Sequence, residues 1–180
     1  MNCYGGRNLA EGFRTVRRNT VTIAEEIPED KYAFKAAPDT RSVGQLLTHM
    51  ALLHRVPQQI HQLEKRNTLE GFNFPAMMQM LGAEEQQPRT KAQIIEMLTS
   101  EGEAWAVYLE GLSDEFLAEE VRMPPGMAPP VKTRFEMLMA PKEHEMHHRG
   151  QLMLIQRMLG QTPHLTRQMQ ERMAAARARA

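Results

Sequence analysis

The chain has 180 residues, 22 basic and 22 acidic, for a formal net charge of +0. That length suits one domain with a sizeable core, and the balanced charge offers nothing to nucleic acid or to an acidic membrane surface. The single cysteine, Cys3, rules out an internal disulfide and suits a reducing cytoplasm.

The first residues contain no apolar run, so no signal peptide is expected, and no stretch of about 18 apolar residues predicts a membrane span. Methionine is abundant at 15, clustered around Met77 to Met80 and Met123 to Met139. Such clusters read first as core filler and second as adaptable pocket walls. Helix patterns dominate, and no strand pattern is evident. From Leu9, apolar residues recur at Phe13, Val16, Ile23 and Ile27, with Thr20 completing the spacing, which is one face of a helix ending near Pro28. "EDKYAFKAAPDTR" reads as an extended connection. Ser42, with Gln45 three residues on, opens a second helix through a capping box. Leu46, Leu53, Val56, Ile60 and Leu63 mark its buried face, and Pro57 predicts a kink.

The connection from Glu64 to Arg89 is long and contains "FPAMMQML", a short helix in its own right. A third helix starts at Thr90, again with a glutamine three residues on, and carries Ile94, Leu98, Trp105, Leu109 and Leu112 as its stripe. After a second long connection, Ser113 to Lys132, a fourth helix runs from about Thr133 to Leu159, bends at Pro141 and stops at Gly160. A short fifth helix follows Pro163, and the basic end "AAARARA" reads as solvated. Four long amphipathic helices in one domain predict an all-α four-helix bundle, with a core from about residue 7 to 160 and a tail from 161 to 180. The long connections leave the order of the helices open.

The segment "KEHEMHHRGQ" places His144, His147 and His148 within five positions and spells H-E-x-x-H. At about 100° per residue, His148 and the apolar Leu152, Ile155 and Leu159 fall on the His144 side of the fourth helix, whereas His147 lies at the edge of the stripe. On the second helix His49 sits in the middle of the apolar stripe, and His54 and His61 fall roughly 120–140° away, on the flank. Three imidazoles, His49, His144 and His148, are therefore aimed into one core. Each is costly to bury without a partner. Carbonyls, hydroxyls or water would satisfy them one by one. A single divalent ion satisfies all three, because an i, i+4 histidine pair reaches one metal and three protein ligands leave positions open. Zinc and nickel are the expected ions.

A zinc-protease reading of H-E-x-x-H fares worse. It needs a third ligand downstream, where the nearest acid is Glu171, beyond the helix stop. It also needs Glu145 as a base, yet Glu145 lies about 100° from His144, off the predicted buried face. Glu101, on the core side of the third helix, and Glu145 are candidate outer partners of the site, as are His147 and Gln151.

"RSVGQLLTHM" followed by "HEMHHRGQLMLIQRMLG", with "IPEDKYAFKAAPDTRS" before the second helix, resembles the DinB/YfiT-like superfamily of metalloenzymes. The resemblance runs from the first helix to about Gly160. It implies a four-helix bundle with a divalent metal held by His49, His144 and His148, the same three residues that the helical faces select. Relatives include enzymes that use mycothiol or bacillithiol as S-transferases or isomerases; others have no assigned reaction. The resemblance thus implies a thiol-dependent S-transferase in detoxification or stress response, acting on a low-molecular-weight thiol and a small electrophile; a homodimer is expected as well. The alternative is a non-catalytic metal-binding bundle. The family name derives from DNA-damage induction and implies no DNA chemistry. Within the matched segment, Arg149 is expected on the polar side, and Gly150 predicts a close approach by another helix.

Overall fold

The computed structural model describes residues 4–179, so Cys3 and Ala180 lie outside the described residues. Helix α1, Gly6–Glu26, buries Leu9, Phe13, Val16, Thr20 and Ile23, the face its spacing predicts. Helix α2, Val43–Leu52, starts at Ser42, whose hydroxyl accepts the Gln45 amide at 3.2 Å while the Gln45 side chain accepts the Ser42 N–H at 2.9 Å. That pairing is the capping box its sequence predicts.

Pro57 does more than kink the second helix. It has no N–H to give the Leu53 carbonyl, and its ring crowds that carbonyl. The α-helix stops at Leu52, and a single turn, α3 (Arg55–Pro57), leads into a π-helical segment, Gln58–Leu63. The Glu64 N–H there bonds the Gln59 carbonyl five residues back, at 2.9 Å. A π turn holds about one residue more than an α turn, so side chains beyond it lag by roughly 100°. Leu63, expected in the core, is therefore 63% exposed, and His61, expected on the flank, is fully buried.

The long connection that follows contains α4, Phe74–Glu85. Helix α5, Lys91–Glu110, is capped by Thr90 with Gln93. A short α6, Asp114–Ala118, then precedes two strands, β1 (Glu120–Arg122) and β2 (Val131–Thr133), paired antiparallel with Val121 opposite Lys132. This hairpin corrects the expectation of no strands. Three-residue strands are too short to display a period of two, and the prolines and glycine between them mask the pattern. Its edge also meets the preceding connection, where the Leu69 N–H donates to the Arg122 carbonyl at 2.8 Å. Helix α7, Arg134–Met158, runs through Pro141 and is followed by Gly160 at φ +79°, the left-handed stop expected there. The tail forms α8, His164–Arg177.

Helices α1 and α2 each pack between α5 and α7, so α1 and α2 occupy one diagonal of a four-helix bundle and α5 and α7 the other. Apolar residues of all four helices fill its core, with Ile23, Leu47, Leu98 and Leu152 in one cluster and Phe13, Trp105 and Leu138 in another. A third cluster, Ile60, Leu69 and Val121, joins the π segment to both long connections and closes one side of the bundle. Among the described residues no helix is long and apolar enough to cross a membrane.

Arg17, on α1, ties the four helices together. Its Nε donates to Glu145 of α7 at 2.9 Å, its Nη1 to the Leu98 carbonyl of α5 at 2.7 Å, and its Nη2 to the Met50 carbonyl of α2 at 2.9 Å. Thr20 donates to the same Glu145 carboxylate at 2.7 Å. Gly102 makes room for this arginine: a Cβ there would lie 2.9 Å from the Arg17 side chain, whereas nothing lies within 4 Å of a Cβ at Gly150. The close approach expected at Gly150 thus occurs at Gly102, because the inward side of α5, and not the Gly150 side of α7, faces the guanidinium. Alanine in a helix ordinarily stabilises by up to about 1 kcal/mol over glycine. Gly102→Ala is nevertheless expected to destabilise by about 1–3 kcal/mol, because Arg17 is held by its hydrogen bonds and cannot yield to the methyl. Urea titration of the variant measures the sign.

Candidate metal centre

Three side chains from two helices meet, though not all in the core as expected: His148 is buried, His49 is half-buried and His144 is exposed, because this face of α7 borders an open cavity. His49 comes from α2, and His144 and His148 from one face of α7. One nitrogen from each lies within 4.8 Å of the others. The ring centroids of His49 are 5.3 Å from His144 and 4.9 Å from His148. The Nε2 atoms of His144 and His148 are 2.8 Å apart. Tetrahedral bonds of about 2.0–2.1 Å to a zinc-sized ion would space these nitrogens by roughly 3.3 Å, a change within reach of small ring rotations.

Neighbouring groups set the tautomers. The His148 Nδ1–H donates to Gln151 Oε1 at 2.8 Å, which leaves its Nε2 lone pair facing the other rings. The amide of Gln151 in turn donates to His147 Nε2 at 3.2 Å. Thus Gln151 and His147 form a chain behind His148. The Nδ1 of His49 lies 3.2 Å from the Glu85 carboxylate, whose other oxygen accepts from Arg41 Nε at 2.7 Å. Glu85 favours a proton on His49 Nδ1 and so frees Nε2. A carboxylate or amide behind a histidine in this way is a recurrent feature of metal sites. Burial pushes His49 down to about 3, helped by the charge of Arg41 and the neighbouring rings, and burial likewise lowers His144 and His148. All three imidazoles are neutral at pH 7 and offer lone pairs.

The cluster opens on a cavity of about 600 Å³ whose wall includes His49, His144, Glu85 and Arg41 and is otherwise mostly apolar, with Leu52, Ile60, Leu69, Met123 and Met137. Methionines from both expected clusters do line a pocket, the second of the two roles their abundance suggested. A shallower depression of about 820 Å³, bordered by Arg55, Arg89 and Glu101, contains no histidine.

Two of the expected outer partners lie elsewhere. Glu145 is fully buried, against the expectation of an exposed flank, and is occupied by Arg17 and Thr20. The α1 side of α7 is a second buried face, one that a search for apolar stripes passes over because its centre is an ion pair. Glu101 receives His54 Nε2 at 3.1 Å and Arg55 at 2.5 Å. The His54 hydrogen bond, reinforced by Arg55 and opposed by burial, holds Glu101 down to about 2. His54, expected on the flank, is 2% exposed and stands 5.6 Å from the Trp105 ring. Helix α2 also has two buried faces, one toward α7 and one toward α5.

Sequence reasoning missed Glu85, Arg41, Arg17 and Arg134. Glu85 is the buried residue of α4, and nothing in a methionine-rich helix within a loop points to its last acid. His61 Nδ1 lies 3.0 Å from Arg134 Nη1, and burial together with Arg134 pushes His61 down to about 4. Because the folded value is depressed, the unfolded chain takes up this proton first. Stability is expected to fall as pH drops from about 6.5 towards 4, by up to about 1.4 kcal/mol per pH unit for this one group. Denaturant midpoints across that window should be less steep in His61→Gln than in the parent.

A model of the DinB superfamily matches residues 13–152. Among solved structures, the crystal structure of a DinB-like protein, YjoA from Bacillus subtilis, is similar at a TM-score of 0.62 and 23% identity, over 86% of this chain and 93% of that one. At that identity the likeness concerns the fold. No curated protein matches the chain.

Proposed function

The chain belongs to the DinB superfamily, and we propose that it is a metal-dependent enzyme whose divalent ion is held by His49, His144 and His148. The observation that carries this reading is the convergence of three neutral imidazoles, two of which, His49 and His144, line a largely apolar cavity. An all-imidazole donor set suits zinc or nickel. Gln151 holds the His148 tautomer, and Glu85 holds that of His49, so two of the three rings are oriented before any ligand arrives. When bound, the ion lowers the pKa of a thiol or water and polarises an electrophile.

The finer reading is transfer of a low-molecular-weight thiol to a small electrophile, in which the thiol loses its proton, an S–C bond forms and a leaving group departs. It is supported by analogy with thiol-dependent relatives and by the shape of the site: an apolar chamber excludes water from the electrophile, while the exposed edge of His144 leaves one side open to a polar thiol. Protein loaded with Zn²⁺ or Ni²⁺ is expected to consume one member of a panel of bacillithiol, mycothiol, glutathione and coenzyme A in the presence of alkyl or aryl electrophiles, and to stop on chelation. Full metal occupancy with no thiol loss on any pair would leave a non-catalytic metal-binding bundle.

A further inference from the structure

The outer face of α7 carries an apolar ridge with no partner inside the chain. Met146, Leu154 and Met158 are 44%, 59% and 52% exposed, and Gly150 stands in the same row at the shared interval of four. At about 100° per residue all three methionine and leucine positions fall within about 80° of the Gly150 direction, and half-buried Met153 falls about 60° to its other side. Single apolar residues are ordinary at a surface, but a contiguous ridge of them marks a contact face. A glycine in mid-helix weakens the helix relative to alanine. Nothing lies within 4 Å of a Cβ at Gly150, so no packing inside the chain requires this glycine. A bare backbone at the centre of an apolar ridge instead lets a second helix come close.

The charges on this face identify that helix. Glu143 and Arg157 lie seven residues before and seven after Gly150, each within about 20° of its direction, and both are exposed. Glu143 has no ion pair among the described residues, and Arg157 gives N–H groups only to neutral oxygens, the Met153 carbonyl at 3.0 Å and the Thr166 hydroxyl at 2.9 Å. The two are about 21 Å apart along the helix and cannot meet within one chain. When a second α7 is laid antiparallel across a two-fold axis at Gly150, residues equally far before and after the glycine face each other. Glu143 then meets Arg157 of the partner subunit, Met146 meets Leu154 of the partner subunit, and symmetry makes each contact twice. The spacing of seven also suits a shallow helix crossing of about 20°.

We propose that this face of α7 binds a second copy of the chain, antiparallel, with the two-fold axis at Gly150. The pairing does not depend on a bound metal. It does border the histidine cluster: His147 is exposed on the same face, and its Nε2 accepts from the Gln151 amide that stands behind His148. Assembly would cover His147 and shield that chain from water.

Sedimentation equilibrium of the full chain at micromolar concentration, with Zn²⁺ and with a chelator, is expected to give twice the 20.6 kDa of one chain. Gly150→Lys should give a monomer with unchanged circular dichroism, because lysine favours a helix over glycine and displaces nothing in the chain. Glu143→Arg and Arg157→Glu should each weaken association by about tenfold, since symmetry repeats the like-charge contact. The double swap should restore it, an outcome that only contact between two chains can produce. A monomeric parent, a dimer that survives Gly150→Lys, or single swaps that the double swap does not rescue overturns the proposal. So does a monomer that binds phospholipid vesicles through this face. Failure of Zn²⁺ uptake with the dimer intact would sink the metal reading and leave this one standing.

Discussion

Arg17→Ala is expected to destabilise the protein by about 3–5 kcal/mol, a large part of the stability of an ordinary domain. The guanidinium and the Glu145 carboxylate are 4% and 0% exposed, so removing one leaves the other charged and dry. The same substitution strands the Leu98 and Met50 carbonyls that Arg17 satisfies, each a further cost of an unmade buried hydrogen bond. Glu145→Gln should act in the same direction and less strongly, since the amide keeps an acceptor for Thr20 but no charge for Arg17. Replacing both charged groups together, as Arg17→Met with Glu145→Leu, should recover part of the loss, because a buried pair often contributes little over apolar residues of similar size. Chemical denaturation followed by circular dichroism measures all three. The result also bears on the H-E-x-x-H pattern. A protease base can be neutralised with the fold intact, whereas this glutamate is expected to report on stability, and a Glu145→Gln protein as stable as the parent would contradict its place in the ion pair.

His49→Ala is expected to lower affinity for Zn²⁺ by more than about 100-fold, beyond the 10–100-fold that loss of an outer partner typically causes. The two remaining ligands lie on one helix and leave the ion largely hydrated. Glu85→Ala should fall within that 10–100-fold range, because it frees the His49 ring without removing it. Glu171→Ala should have no effect, since Glu171 is an exposed residue of α8. Metal content after dialysis and competition with a chromophoric chelator read the series. Full metal in His49→Ala with loss in Glu171→Ala would favour the protease-like ligand set and sink the three-histidine one.

The long helices are legible from their apolar faces, and three of the four also from a capping residue. Ser42 with Gln45, Thr90 with Gln93 and Thr133 with Glu136 all cap where the sequence places a start. The meeting of His49 with His144 and His148 was legible for the same reason, since both helices keep α geometry up to and through those residues. What escaped lies where a face is polar or a helix departs from 3.6 residues per turn. Arg17 and Glu145 occupy core positions that no apolar stripe marks. A solvated flank for His54 and His61 presumes one buried face and an unbroken α-helix, and the stretch from Val43 to Leu63 has neither. Glu85 reaches His49 from a loop helix whose position depends on long-range packing alone.

The π segment has a consequence for how such a chain can vary. It behaves as a single inserted residue that the helix absorbs without breaking. Removing one residue between Gln58 and Leu63 would return the following turn to α geometry, carry the His61 position away from the cavity and bring the Leu63 position toward it. His49 precedes the segment, and His144 and His148 belong to another helix, so the three imidazoles would keep their places. Insertion and deletion at this one point would therefore alter the lining of the chamber and leave the histidine cluster as it stands.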